Sequence, residues 1–187
     1  KQDGGLVGVP SGFSGLDRLT AGWQKSDLII LAARPAMGKT ALATNIAFNA
    51  AKATLRQKRE GAVVAFFSLE MSAEQLAQRI LSSESGVVSD KIRRGDLTDK
   101  DFMKFAEVSR ELATLPLYID DTPAITISAM RTRARRLKRK EGLGLIVVDY
   151  LQLIQGSGSK KSDNRVNELS EITRQLKALA KELHVTV

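Results

Sequence analysis

Residues 28–40 read Leu-Ile-Ile-Leu-Ala-Ala-Arg-Pro-Ala-Met-Gly-Lys-Thr, an apolar run that breaks into a small-residue turn and ends on Gly-Lys-Thr. The pattern predicts a buried strand that feeds a phosphate-binding loop and opens a helix. In such a loop successive backbone N–H groups curl around an anion, a lysine reaches the outer phosphates and a hydroxyl holds magnesium. Gly38, Lys39 and Thr40 fill the last three places of G-x-x-x-x-G-K-[ST], while the first is Ala33 instead of glycine. Alanine is tolerated there where φ stays negative, because only a positive φ demands glycine. Pro35 has no N–H, so the donor ring falls to Met37, Gly38, Lys39, Thr40 and Ala41. The whole run of Ala33, Arg34, Pro35, Ala36, Met37, Gly38, Lys39, Thr40 and Ala41 is the candidate nucleotide site. The plainer alternative is an ordinary strand-to-helix turn with a conformational Gly38 and a solvated Lys39.

A chain of 187 residues suits one domain with a sizeable core. It has no cysteine and a single histidine, His184, which excludes a disulfide framework and a zinc site and suits a reducing cytoplasm. No apolar run approaches membrane-spanning length, and Lys1-Gln2-Asp3-Gly4-Gly5 lacks the build of a signal peptide. A soluble cytoplasmic protein with no membrane partner is expected. The net charge of +8 is concentrated in residues 131–140, where Arg131, Arg133, Arg135, Arg136, Lys138, Arg139 and Lys140 stand with no acid among them. Charge this local suggests one polyanion or one acidic partner surface.

Residues 1–12 are glycine-rich and read as a linker entering a domain over 13–187. A short helix is expected from about Ser14 to Leu19, with Trp23 behind it as a packing residue more than a stacking platform. After the loop, Leu42, Ile46 and Ala50 repeat on one helical face up to about Leu55. A charged turn over 56–61 leads to a second apolar strand, 62–67, and then to Ser68-Leu69-Glu70-Met71-Ser72. Ser72 with Gln75 makes a capping box ahead of a Leu76, Ile80, Leu81 stripe. Residues 89–114 read as a polar connection and a helix buried through Phe102, Phe105, Val108 and Leu112. A third strand over 115–119 ends at Asp120-Asp121-Thr122-Pro123, and Pro116 puts its start near a sheet margin. A basic helix from about Ser128 to Gly142 carries an Ile127, Met130, Ala134, Leu137 stripe. Residues 145–154 form the most apolar strand, 156–162 have loop composition, and Val166, Leu169, Ile172, Leu176, Leu179 and Leu183 mark a long amphipathic helix. Val185-Thr186-Val187 starts a further strand in which the sequence stops, and with no initiator methionine the chain is expected to be a fragment.

Near-continuous apolar strands separated by helices argue an α/β fold with a mainly parallel sheet covered on both faces. Ligands bind such sheets at the carboxyl ends of the strands, where the loop, Glu70, Asp121 and Asp149 would converge. A phosphoryl-transfer site needs a carboxylate near magnesium and a group that orients the attacking nucleophile. Asp149 suits the metal better than Asp121, because a proline points away from a central strand and Asp121 also fits a turn-former. Glu70 is open to two readings: a catalytic base, or a carboxylate resting at the positive end of the next helix.

With these segments placed, the sequence resembles the ATPase domain of bacterial replicative DNA helicases of the DnaB type, on a RecA-like P-loop NTPase fold. The resemblance is carried by Pro10-Ser11-Gly12-Phe13 with Gly15-Leu16-Asp17, by Ala32 to Thr40, by Ser68-Leu69-Glu70-Met71-Ser72 and by Asp149-Tyr150-Leu151-Gln152-Leu153. The family accepts alanine at the first loop place. The resemblance implies that Lys39 and Thr40 bind ATP phosphates and Mg2+, that Asp149 supports the metal and that Glu70 activates the attacking water. Arg79 matches a family arginine near the nucleotide. It further implies a homo-hexameric ring on single-stranded DNA, with a primase and a helicase loader as partners, and a sensor, an arginine finger and DNA loops beyond Val187. The isolated stretch is therefore expected to turn over ATP slowly, and the basic helix is expected to be surface or subunit-interface charge before DNA contact. The alternatives are a RecA-like recombinase or regulatory ATPase without unwinding, and a non-hydrolysing nucleotide-binding module.

Overall fold

The computed structural model describes residues 7–56, 60–154 and 165–187; the expected start 1–6, residues 57–59 of the charged turn at 56–61 and the loop at 156–162 lie outside them. The chain runs α1 (Ser14–Thr20), α2 (Lys39–Arg56), β1 (Val63–Ser68), α3 (Ala73–Ser85), α4 (Ser89–Arg94), α5 (Asp99–Thr114), β2 (Leu117–Asp120), α6 (Ile127–Glu141), β3 (Leu143–Asp149), a single 3-10 turn (Leu151–Leu153) and α7 (Arg165–Leu183). The strands form one parallel sheet in the order β2-β1-β3. Strands joined through helices must run parallel, and their two faces then need two covers.

β1 supplies both. Val64 and Phe66 enter a core with Ala47, Phe48 and Ala51 of α2 and Leu76 and Ile80 of α3. Ala65 and Phe67 point the other way, to Met130 and Ala134 of α6 and Ile172, Leu176 and Leu179 of α7. A strand buried on both faces has no reason to alternate, which is why its sequence is a continuous apolar run. The Ser72–Gln75 capping box forms as the sequence predicts. The basic helix buries Ile127, Met130 and Ala134, three members of its expected stripe.

Four expectations change. The apolar run 28–33 is not a buried strand: Leu28 is half-buried and Ile29 to Ala33 are exposed, outside any ladder. Only its start is paired, where Val187 N–H donates to Asp27 O and Ile29 N–H donates to Val187 O, with Thr186 bridged in parallel to Leu145 on the other side. Among the described residues the pairing reaches Ile29 and stops, and a strand exists only where a ladder does. The helical stretch expected over 89–114 is two helices, α4 and α5, the second started by a Thr98–Asp101 capping box. None of its residues is fully buried and Phe102 is 62% exposed, because α5 lies outside α3 and not on the sheet. The fourth strand ends at Asp149, five residues earlier than expected, and the chain turns at Leu151–Leu153 to bury Ile154.

Residues 7–12, read as part of a linker, lie against the hairpin-like return at Trp23. Val9 bridges Trp23, and a Cβ at Gly8 would lie 2.4 Å from the Trp23 carbonyl oxygen, so only glycine fits there. Buried Ser11 donates from both its N–H and its hydroxyl to Asp17, and Asn49 of α2 donates to the Ser11 carbonyl.

Candidate functional site

The loop between Ala33 and Lys39 brings two consecutive polar side chains, Lys39 and Thr40, to the carboxyl end of β3. Ala33 is not among the positive-φ residues, consistent with alanine at that place, whereas Ala36 takes φ 62 and Gly38 φ 85. The Ala36 conformation was not legible, since any small residue reads alike in a turn; the Gly38 one was, since φ near +85 favours glycine strongly. Met37 N–H closes the turn on Arg34 O, and Leu42 N–H donates to Gly38 O as α2 begins. The N–H groups of Lys39, Thr40 and Ala41 belong to the first turn of α2, which leaves them without intrahelical acceptors and aimed outward. With the dipole of an 18-residue helix behind them, they can hold an anion.

Asp149 closes the site from β3. It is 2% exposed, and its Oδ2 accepts from the Thr40 hydroxyl at 2.8 Å across 109 residues of sequence. Its Oδ1 faces Lys39 Nζ at 4.0 Å, and the same ammonium lies 3.9 Å from the centre of the Tyr150 ring. Aromatic face and carboxylate together give the lysine a rest of mixed ion-pair and cation–π character. Tyr150 was missed as a site residue because nothing in its spacing marks it; its place follows from the turn after Asp149. A hydroxyl and a buried carboxylate side by side are hard oxygen donors of the kind magnesium takes alongside phosphate, so the residues fit that ion.

Glu70 stands two residues beyond Ser68, the β1 residue in register with Asp149. Leu69 N–H donates to Asp149 O at 2.8 Å, so the two acidic strand ends are tied by backbone. Glu70 itself is exposed and makes no hydrogen bond or ion pair among the described residues. The α3 N-terminus is capped by the Ser72–Gln75 box and by Asp121, with Glu74 in its first turn, and Glu70 accepts no hydrogen bond from it among the described residues. Arg79 is exposed on α3 and forms no hydrogen bond or ion pair with the loop.

Asp121 does not act as the turn-former; its neighbour does. Asp120 Oδ1 accepts from Thr122 N–H and its Oδ2 from Arg133 of α6. Burial pushes the Asp120 carboxyl up, but the Arg133 and Thr122 bonds outweigh it and hold the group below its ordinary value. Asp121 Oδ2 instead accepts from Ala73 N–H at 2.9 Å. Much of the basic helix is tied inward as well: Arg131 and Arg135 both meet Glu182 of α7, and Lys138 Nζ donates to Leu143 O.

Residues 8–187 match the family model described as DnaB-like helicase C terminal domain. The chain is 53% identical over 186 residues to the replicative DNA helicase DnaB of Geobacillus stearothermophilus, covering 100% of this chain and 39% of that protein. It is 52% identical over 184 residues to the replicative DNA helicase DnaC of Bacillus subtilis (strain 168), covering 98% of this chain and again 39% of the relative. A solved DnaB-like replicative helicase, described with its interactions with primase, superposes with a TM-score of 0.89 at 34% identity, over 100% of this chain and 43% of that one. The chain thus spans about two fifths of the length of the curated relatives it matches.

Proposed function

The chain belongs to the DnaB-like helicase C-terminal domain family, with its RecA-like α/β fold, and on that premise we propose that it is the ATP-hydrolysing motor of a replicative DNA helicase. One observation carries the site assignment: Thr40 and Lys39, from the loop, meet buried Asp149, from β3. The Ala33 to Ala41 loop wraps the phosphates, with N–H donors from Gly38, Lys39, Thr40 and Ala41, while Arg34, Pro35, Ala36 and Met37 shape its outer wall. Lys39 exchanges its rest against Tyr150 and Asp149 for the outer phosphate oxygens. Thr40 and Asp149 would hold Mg2+, which when bound neutralises charge on the phosphates. Glu70 orients a water on the γ-phosphorus and takes its proton. As the new P–O bond forms, the bridging bond to the β-phosphate breaks, and ADP and phosphate leave. Arg79, exposed on α3, would add positive charge on the nucleotide side.

The energy of this step would drive movement along single-stranded DNA in a homo-hexamer, in the cytoplasm, with a primase and a helicase loader as partners. The solved relative described with primase supports that partner class. No described helix is long and apolar enough to cross a membrane. Neither a recombinase nor a non-hydrolysing module draws support from the relatives named above. The direct test is Lys39→Ala in the full-length protein: ATP turnover should fall at least about 10²-fold, the scale of losing one preorganised charge, with the fold retained. Unchanged ATP affinity together with unchanged turnover would overturn the site.

A further inference from the structure

We propose that Asp121 is a positioning residue for the Glu70 carboxylate, acting through the N-terminus of α3; the proposal rests on the reading of Glu70 as the group that orients the attacking water. Glu70 is exposed and has no side-chain partner among the described residues, so its position is set by the backbone of residues 68–73 alone. That backbone is anchored on the β3 side by Leu69 N–H on Asp149 O, and braced internally by the Ser68 hydroxyl, which donates to Met71 O at 2.6 Å. The Ser72–Gln75 box is local to α3 and moves with it. The start of the helix is held to the sheet by Leu76, buried against Val64 and Phe66, and its first N–H is directed by the bond from Ala73 N–H to Asp121 Oδ2, at 2.9 Å and across 48 residues.

Ala73 is the first residue of α3, so its N–H has no intrahelical acceptor, and an ionised acceptor makes the bond strong and its direction favourable to the helix dipole. Asp121 is itself presented from a fixed corner, because Asp120 beside it is locked by Thr122 N–H and Arg133. Glu70 is therefore held from two sides, by the metal-side strand through Asp149 O and by the opposite edge of the sheet through Asp121. Loss of the second hold lets the leading end of α3, ahead of buried Leu76, relax by a fraction of an ångström, and a group three residues upstream shifts with it. Asp121 touches neither Thr40 nor Lys39 among the described contacts, so nucleotide binding does not depend on it.

The test uses the full-length protein and its DNA-stimulated ATPase, with ATP affinity read separately by a fluorescent ATP analogue. Asp121→Ala should lower kcat about tenfold, the scale of a sub-ångström to ångström misplacement, with KM and analogue affinity within about twofold of wild type. Asp121→Asn keeps an acceptor oxygen in place and should recover most of kcat. In a Glu70→Gln background, Asp121→Ala should cost nothing further. Asp121 is exposed, so neither change touches the core. Wild-type kcat in Asp121→Ala, a matching loss of analogue affinity, or a full tenfold loss on top of Glu70→Gln overturns the positioning role. Wild-type kcat in Glu70→Gln alone instead removes the Glu70 reading and this proposal with it, so the two failures are told apart.

Discussion

The carboxyl ends of β3 and β2 carry the same chemistry, aspartate after a parallel apolar strand, and put it to different uses. Asp149 ends a strand with β1 on one side and the Thr186 bridge on the other, is 2% exposed, and receives Thr40 and Lys39. Asp120 and Asp121 end a strand paired on one side only, behind Pro116, and receive Arg133, Thr122 N–H and Ala73 N–H. The residue type is shared; the position in the sheet decides. A carboxylate between covered strands sits in the crevice that the loop after the first apolar run opens onto, whereas those at the margin meet their own loop at Thr122 and the flanking helices α3 and α6.

That contrast can be broken most sharply at its first member. Asp149→Asn keeps the shape and removes the charge, so in the full-length protein ATP turnover should fall by on the order of 10²-fold or more. A loss no greater than that of Asp120→Asn would mean the two strand ends are equivalent. Asp120→Asn should act mainly on stability, by about 1 kcal/mol or less for a partly exposed pair, read as a thermal midpoint lower by a few degrees, with kcat lowered less than in Asp121→Ala because the amide oxygen still accepts from Thr122 N–H.

The pH dependence sharpens the same point. The folded Asp120 carboxyl is held below its ordinary value, so its contribution is fully present above that value and is lost as pH falls through the lower folded one. Melting of wild type and Asp120→Asn should therefore converge in acid below about pH 4 and separate at neutral pH; curves that stay parallel throughout would remove the Arg133 clamp from the account.

The smallest effect is expected on the outer face of α6. Arg136 and Arg139 are exposed, and among the described residues Lys140 meets its neighbour Glu141. Changing the three to Gln should leave the salt dependence of single-strand binding unaltered. A slope shallower by about 0.7 for each lost charge would make this face a phosphate tracker after all.

Much of this was legible in residue order. Continuous apolar strands between helices spelled a parallel sheet covered twice, because a strand buried on both faces cannot alternate, and β1 with its two opposed cores is the outcome. Gly38-Lys39-Thr40, Ser72 with Gln75, and Asp149 after its apolar run are local signals, each set by backbone geometry within a few residues, and each stands where its spacing puts it. The sequence by itself therefore determined most of the helices, the β1 and β3 cores, the loop and the family resemblance. Tertiary structure alone decided the rest: that the Leu28 run reaches a ladder only at its start, that α5 lies on α3 and leaves Phe102 exposed, that Lys39 rests on Tyr150, and that Asp121 reaches Ala73. Each of these depends on which distant backbone passes alongside. A one-dimensional pattern records that a residue can pair, cap or pack, and the partner is chosen only when the sheet has assembled.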